Sequence, residues 1–360
     1  MTAELHRTDL DARNRLLLVL GLSLGLLLAL VIAAGLVTVP YKALRPGSVR
    51  PVAEHVLIEG APSHPPDHSI AFTTVGVGNA SLLEALGGWL DPTVDLFPRE
   101  VIEGDRDAEE NRRYNAELMD VSKLTATTVA LRHLGLEVTL HTTGTVVRQI
   151  AEGTPAAAVL QQDDVIVAVD GEPIDAEGEL SARLQEGGVG GEHVLTVERP
   201  PGSGQVVEVP ITTIADPADP ARAIIGVAGQ ERYADVDLPF EVTIDTGRVG
   251  GPSAGLAFAL TLIDLLTPGN LTGDLRVAVT GTIDMDGNVG VVGGAAQKAV
   301  AVRDEGYDVF LVPEAEAAEV RAAIGDDLRV VAVGTLSEAL QALAALGGTE
   351  VPTGVALPAE

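Results

Sequence analysis

Gly251-Pro252-Ser253-Ala254-Gly255 sets a serine between glycines, directly ahead of the apolar run 256–266. The run predicts a buried helix with the Ser253 hydroxyl in its first turn, where backbone N–H groups lack intrahelical partners and carry partial positive charge. An oxyanion forming beside such groups is stabilised, so the position suits a nucleophile. The spacing also fits the G-x-S-x-G elbow, in which an acid and then a histidine come after the serine. All seven histidines lie between His6 and His193, upstream of Ser253, and that order is excluded. Downstream stands Lys298, the one lysine beyond the serine. A Ser–Lys pair is the candidate that remains.

Two strands, 276–283 and 289–292, are predicted ahead of that lysine, joined by the turn Asp286-Gly287-Asn288. Gly293-Gly294 then opens a helix that stops near Gly306. On this helix Ala295, Lys298, Ala299 and Val302 recur at i, i+3, i+4 and i+7 and share one face. The lysine points into apolar company. Desolvation disfavours its ammonium form and lowers its pKa, as a general base near neutral pH requires.

Four blocks stand in order: Gly251-Pro252-Ser253-Ala254-Gly255, Val279-Thr280-Gly281-Thr282-Ile283, Val292-Gly293-Gly294-Ala295-Ala296-Gln297-Lys298 and Phe310-Leu311-Val312-Pro313. Together they resemble the proteolytic domain of Lon proteases, over residues 223–345. The resemblance implies an α/β catalytic domain with Ser253 as nucleophile and Lys298 as general base. Thr280 matches the threonine that stands beside the lysine there and can orient its amine; taken alone it reads equally as a plain strand threonine. The resemblance further implies that strand 241–245 pairs with the substrate backbone and that the domain forms homo-oligomers. Two departures bear on substrate preference and regulation but not on the dyad. Gly250 stands where an acidic residue often precedes the serine block, and Ala296-Gln297 stand where Lys-Glu is usual. No glycine precedes a lysine anywhere, so there is no Walker motif, and cleavage is expected not to depend on ATP bound to this chain.

The chain has 360 residues, 46% of them hydrophobic, enough for two or three domains with cores of their own. A formal charge of -29 argues against nucleic acid as a partner, because phosphate contacts need clustered Lys and Arg. With no cysteine, disulfides and thiolate metal sites are ruled out, and no cofactor or metal site is predicted. His133 and His141 lack a third ligand nearby in sequence and read as ordinary polar residues.

Residues 16–39 carry no charge and are enough to cross a hydrocarbon core, which needs about 20 helical residues. They are predicted to anchor the chain in the membrane, with 1–15 as a flank. A cleaved signal peptide is the competing reading, but its apolar core is usually about 7–15 residues and precedes a small-residue cleavage site. Arg7, Arg13 and Arg15 on one side face Lys42, Arg45 and Arg50 on the other, so charge barely sets the orientation. A single early span before a long body more often leaves that body outside the cytoplasm, and that orientation is the one expected here.

Residues 40–134 are predicted as an α/β scaffold linking membrane to catalytic body, with strands at 52–58 and 70–77 and helices at 81–90 and 108–134. Residues 135–214 hold Gly153-Thr154-Pro155-Ala156-Ala157 and Asp163-Asp164-Val165-Ile166-Val167, then a helix at 178–184 and a strand at 194–199. This module resembles bacterial PDZ domains, β-rich with helices, which take an extended peptide beside a sheet edge and a helix. Gly135-Leu136 is the candidate carboxylate-binding loop; a helix C-cap and then a strand is the other reading. The tail, 346–360, mixes Gly, Pro and Thr and is predicted to be disordered.

The fold expected is α+β: a transmembrane helix, a linking region, a PDZ domain and a Lon-type domain. The order resembles the membrane-anchored, PDZ-containing Lon-like serine proteases of bacteria, and implies an endopeptidase acting on protein or peptide substrates. The alternative is a membrane scaffold whose PDZ domain recruits partners and whose Lon-like domain is silent.

Overall fold

The computed structural model describes residues 2–66, 68–87, 93–104 and 106–351. The chain divides into two compact units, Met1–Ala130 with Thr243–Glu360, and Leu131–Val242. A single helix, α1 (Thr2–Leu36), leads the first unit. Its segment Leu18–Leu36 is long and apolar enough to span a membrane, and its leucines are exposed.

The first unit is built on a six-stranded sheet ordered β18-β17-β14-β3-β1-β4. Here β1 is Thr38–Pro51, β3 Ala71–Ser81, β4 Asp95–Pro98, β14 Val277–Val279, β17 Val309–Pro313 and β18 Arg329–Val333. From β3 to β18 neighbours run parallel, with Val279 opposite Phe72 and Val277 opposite Val309; β1 and β4 complete the sheet antiparallel. Every residue of β14 and β17 is buried, which is why these strands read as unbroken apolar runs and not as alternating ones. Helix α7 (Gly255–Leu266) is buried along its whole length, and Phe258 meets Phe72 of β3 with ring centroids 5.9 Å apart. Helix α8 (Ala295–Asp304) shares a core with Val49, Ala71, Ala278, Phe310 and α9 (Ala317–Ile324).

Residues 40–134, expected as a separate scaffold, supply β1, β3 and β4 to the sheet that carries the serine and lysine blocks. The pairing of β3 with β14 joins residues some 200 positions apart, and nothing local in either strand names its partner. The predicted strand 276–283 also divides. β14 stops at Val279, and β15 (Thr282–Ile283) turns away to form a hairpin with β16 (Val289–Gly290). The Asp284 carboxylate closes that turn by accepting from the backbone N–H groups of Asp286 and Asn288.

Shorter elements obey local signals. β2 (Val56–Glu59) comes after a 3₁₀ turn at Ala53–His55. Helix α2 (Leu82–Gly87) opens with a reciprocal pair in which the Ser81 hydroxyl accepts from Glu84 N–H and the Glu84 carboxylate from Ser81 N–H. The rest of the helix predicted to 90 lies outside the described residues. After α3 (Arg99–Glu103), the long α4 (Ala108–His133) is capped by Asp107, whose Oδ1 accepts from Glu109 and Glu110 N–H. Helix α10 (Leu336–Ala345) ends the fold. Within the predicted tail, Gly348 N–H donates to Leu343 C=O and Thr349 N–H to Asn270 C=O at 2.8 Å, so its first residues are held; 352–360 lie outside the described residues.

The second unit is an antiparallel sheet ordered β12-β5-β6-β8-β9. Its strands are β5 (Thr139–Ile150), β6 (Val165–Val169), β8 (Glu192–Glu198), β9 (Val206–Thr212) and β12 (Val227–Asp237), with β7 (Glu172–Pro173) beside β6. Helices α5 (Pro155–Val159) and α6 (Glu179–Gly187) cover a core that includes Val147, Ile166, Leu180, Leu195 and Ile225. A small hairpin, β10 (Ile214–Ala215) with β11 (Ala223–Ile224), leads into β12. β12 pairs along β5 from Val227 opposite Ile150 to Asp237 opposite Thr139. The chain re-enters the first unit through β13 (Glu241–Ile244), which ladders with β2.

Candidate active site

Ser253 lies in a turn two residues ahead of α7, whose first helical residue is Gly255, and not in the first helical turn as the sequence predicts. The helix N-terminus is already tied down. Gly255 N–H reaches Pro252 C=O at 3.3 Å and Leu256 N–H reaches Gly281 C=O at 3.2 Å. Gly251 N–H is also used, by Asn115 C=O at 2.8 Å, and Pro252 has none. The N–H groups of Ser253 and Ala254 have no acceptor among the described residues, and the half-buried Ser253 hydroxyl has no hydrogen-bond partner among them.

Lys298 sits on α8 with Ala295, Ala299 and Val302, all buried as the spacing predicts. It is 1% exposed. Its Nζ donates to Thr280 Oγ1 at 3.1 Å, and Thr280 Oγ1 donates to Ser253 C=O at 3.3 Å. Thr280 comes directly after the last residue of β14 and stays in the ladder through its N–H to Leu311 C=O, so it stands at the carboxyl end of a parallel strand, where open α/β sheets place their sites. Thr280 therefore links the Lys298 amine to the backbone carbonyl of Ser253; the described residues show no hydrogen bond between Lys298 Nζ and Ser253 Oγ. Burial pushes the Lys298 pKa down to about 8, opposed by the charge of Glu316.

Glu316 was not visible from the sequence. Its carboxylate accepts from Val292 N–H with both oxygens at 3.1 Å, and burial raises its pKa. The two departures also find physical partners. A Cβ on Gly250 would lie 2.9 Å from Asn115 Cβ, so the close approach of α4 leaves no room there for the acidic side chain. Gln297 is buried and donates through Nε2 to Asp95 of β4 at 2.7 Å.

In the second unit Gly135 takes a left-handed φ of 79°, and its N–H donates to Arg132 C=O while Leu136 N–H donates to Leu131 C=O. These two groups close α4 and are not available to a peptide carboxylate, which corrects the loop expected at Gly135-Leu136 in favour of the helix C-cap. A groove of about 190 Å³ lies instead beside α6, lined by Leu180, Ser181, Leu184, Ile225, Val227 and Glu231. The adjoining edge of β5 carries β12 from the same chain.

Residues 227–346 match the Lon protease (S16) C-terminal proteolytic domain, and residues 133–213 match the PDZ domain. Similar proteins include the Lon protease of Rickettsia conorii, 30% identical over 34% of this chain and 15% of that one. The Lon protease of Xanthomonas oryzae is 30% identical over 42% and 19%. The chain spans about 15% of the length of the curated relatives it matches first. Among solved structures, the PDZ domain of an SdrC-like protein from Listeria monocytogenes is 22% identical over 24% of this chain and 87% of that one, with a TM-score of 0.22. A Geobacillus thermodenitrificans protein is 26% identical over 24% and 95%, also with a TM-score of 0.22. This chain thus carries a Lon-type proteolytic domain at 227–346 and a PDZ domain at 133–213.

Proposed function

We propose that this protein is a membrane-anchored serine endopeptidase that works through Ser253 and Lys298 without ATP bound to this chain. The observation that carries the reading is a lysine buried to 1% exposure, with a pKa near 8, linked through Thr280 to the nucleophile loop. A neutral amine has two hydrogens and a lone pair. With one hydrogen on Thr280, the lone pair takes the Ser253 proton as Oγ attacks the peptide carbonyl. The N–H groups of Ser253 and Ala254 receive the oxyanion. Lys298 returns the proton to the departing amine, then removes one from the water that resolves the acyl-enzyme. β13 is paired with β2 alone among the described strands, which leaves its other edge for an extended substrate segment. Peptide mapping of a denatured protein incubated with the full chain tests the whole reading. Cleavage is expected at the same rate with and without added ATP, and its absence would leave the silent scaffold.

In the same reading the PDZ domain captures substrate segments in the groove beside α6. Ser181 lines that groove and is exposed, so Ser181→Trp fills it without disturbing the core. KM for a long unfolded substrate is expected to rise about tenfold, as one lost anchoring contact would produce, while turnover of a short peptide stays unchanged. Equal effects on both would assign the PDZ domain a supporting role.

The apolar helical segment Leu18–Leu36 is the anchor in this proposal, shorter than the predicted 16–39 because Thr38 already opens β1, and the body lies outside the cytoplasm. Protease added to intact cells is expected to degrade the body; protection until lysis would reverse the orientation.

A further inference from the structure

The nucleophile loop is gripped from one side by α4. Asn115 and Ser122 stand two turns apart on one face of that helix, in a stripe completed by the buried Met119 and Ala126. Asn115 C=O accepts from Gly251 N–H at 2.8 Å, and Ser122 Oγ donates to Pro252 C=O at 3.0 Å. A serine inside a helix often returns its hydroxyl to the carbonyl four residues back. Ser122, 5% exposed, instead reaches across 130 positions of sequence. The approach is close at both ends of the loop. A Cβ on Gly250 would lie 2.9 Å from Asn115 Cβ, and one on Gly255 would lie 3.0 Å from Ser122 Oγ.

The oxygen that Ser122 holds belongs to the peptide unit whose other end is the Ser253 N–H. That unit is planar and trans, so its C=O and N–H point in opposite directions, and fixing one fixes the other. The proline ring sets φ of Pro252, but the plane can still turn about ψ of Pro252 and φ of Ser253. Only the Ser122 hydroxyl is hydrogen-bonded to that oxygen from outside the loop among the described residues; the Gly255 N–H that also reaches it moves with the loop. We propose that Ser122 is a positioning residue for the oxyanion site: by holding Pro252 C=O from α4, it aims the Ser253 N–H at the oxygen of the scissile carbonyl.

The inference rests on the serine peptidase reading, and the experiment separates the two. Full-length Ser122→Ala and Ser122→Cys are compared with wild type and Ser253→Ala on a short peptide substrate. Cysteine keeps the shape of the serine side chain but is a weak donor, so it isolates the hydrogen bond from packing. Both Ser122 variants are expected to lose kcat by about 10- to 100-fold, less than the roughly 10²–10³ for removing an oxyanion donor outright. KM is expected to hold within about twofold, as for an interaction made only in the transition state. The pH dependence of kcat/KM should not move, because Thr280 and Lys298 are untouched. A peptide boronate, which presents an oxyanion to the site, should lose affinity by the same factor as kcat, whereas the cleaved product peptide should not. Wild-type kcat in Ser122→Cys, or a loss confined to KM, would overturn the positioning role. Hydrolysis that persists in Ser253→Ala would overturn Ser253 as the nucleophile, whatever Ser122 does.

Discussion

Ser253→Ala is expected to lower peptide turnover by at least about 10⁴-fold, the scale on which removal of a nucleophile acts in serine peptidases. The change is local. The Ser253 hydroxyl has no hydrogen-bond partner among the described residues, so its removal leaves no buried group unsatisfied. Stability should shift by no more than about 0.5 kcal/mol, as for other changes that break no buried contact. An inactive variant with an unchanged Tm would assign the loss to chemistry. Turnover near wild type would mean that another residue attacks the carbonyl, and the chain has no cysteine to do so.

Lys298→Met is expected to abolish activity and to raise stability at neutral pH. Arginine is the less informative replacement, because a larger group that cannot shed its proton would be forced into a site 1% exposed. Methionine is close in volume and carries no charge. The sign is set by the direction of the pKa change. The folded lysine titrates near 8 and the unfolded one near 10.4, so between these values the unfolded chain binds more protons and stability rises with pH. Below about 8 the burial penalty is present at full size, on the order of 3 kcal/mol. Methionine escapes it at the loss of one hydrogen bond to Thr280, about 1 kcal/mol. The net gain at pH 7 corresponds to a Tm about 5 °C higher. The difference should shrink as pH rises toward 10.4, where wild type no longer carries the penalty. A Tm advantage independent of pH would mean that the lysine is not desolvated in the folded chain.

The helix that opens just after Ser253 and the burial of Lys298 were legible because their signals are local: a serine between glycines before an apolar run, and a lysine in the apolar stripe of a helix. Both keep their meaning whatever surrounds them. The environment of the site was not legible, because it comes from strand and helix partners far away in sequence. Phe72 lies opposite Val279 through backbone hydrogen bonds that any strand-forming sequence can make. Asn115 and Ser122 did leave a trace, two polar residues two turns apart in a stripe with Met119 and Ala126. That trace acquires a meaning only once the loop it faces is known. Gly135 shows the opposite error. A glycine before an apolar residue suits a carboxylate-binding loop and a helix end alike, and the long run of α4 decides for the helix end.

The most direct test of the Ser–Lys assignment is the pH dependence of Ser253 acylation by an activated peptide ester, with the modified residue located by mass spectrometry. A single adduct at Ser253 is expected, with a kcat/KM that rises through one ionisation near 8, well below the ~10.4 of a free lysine, because the neutral amine alone can take the serine proton. In Lys298→Met that ionisation should vanish together with the fast reaction. An adduct on another residue, or the same profile persisting in Lys298→Met, would contradict the assignment of nucleophile and base.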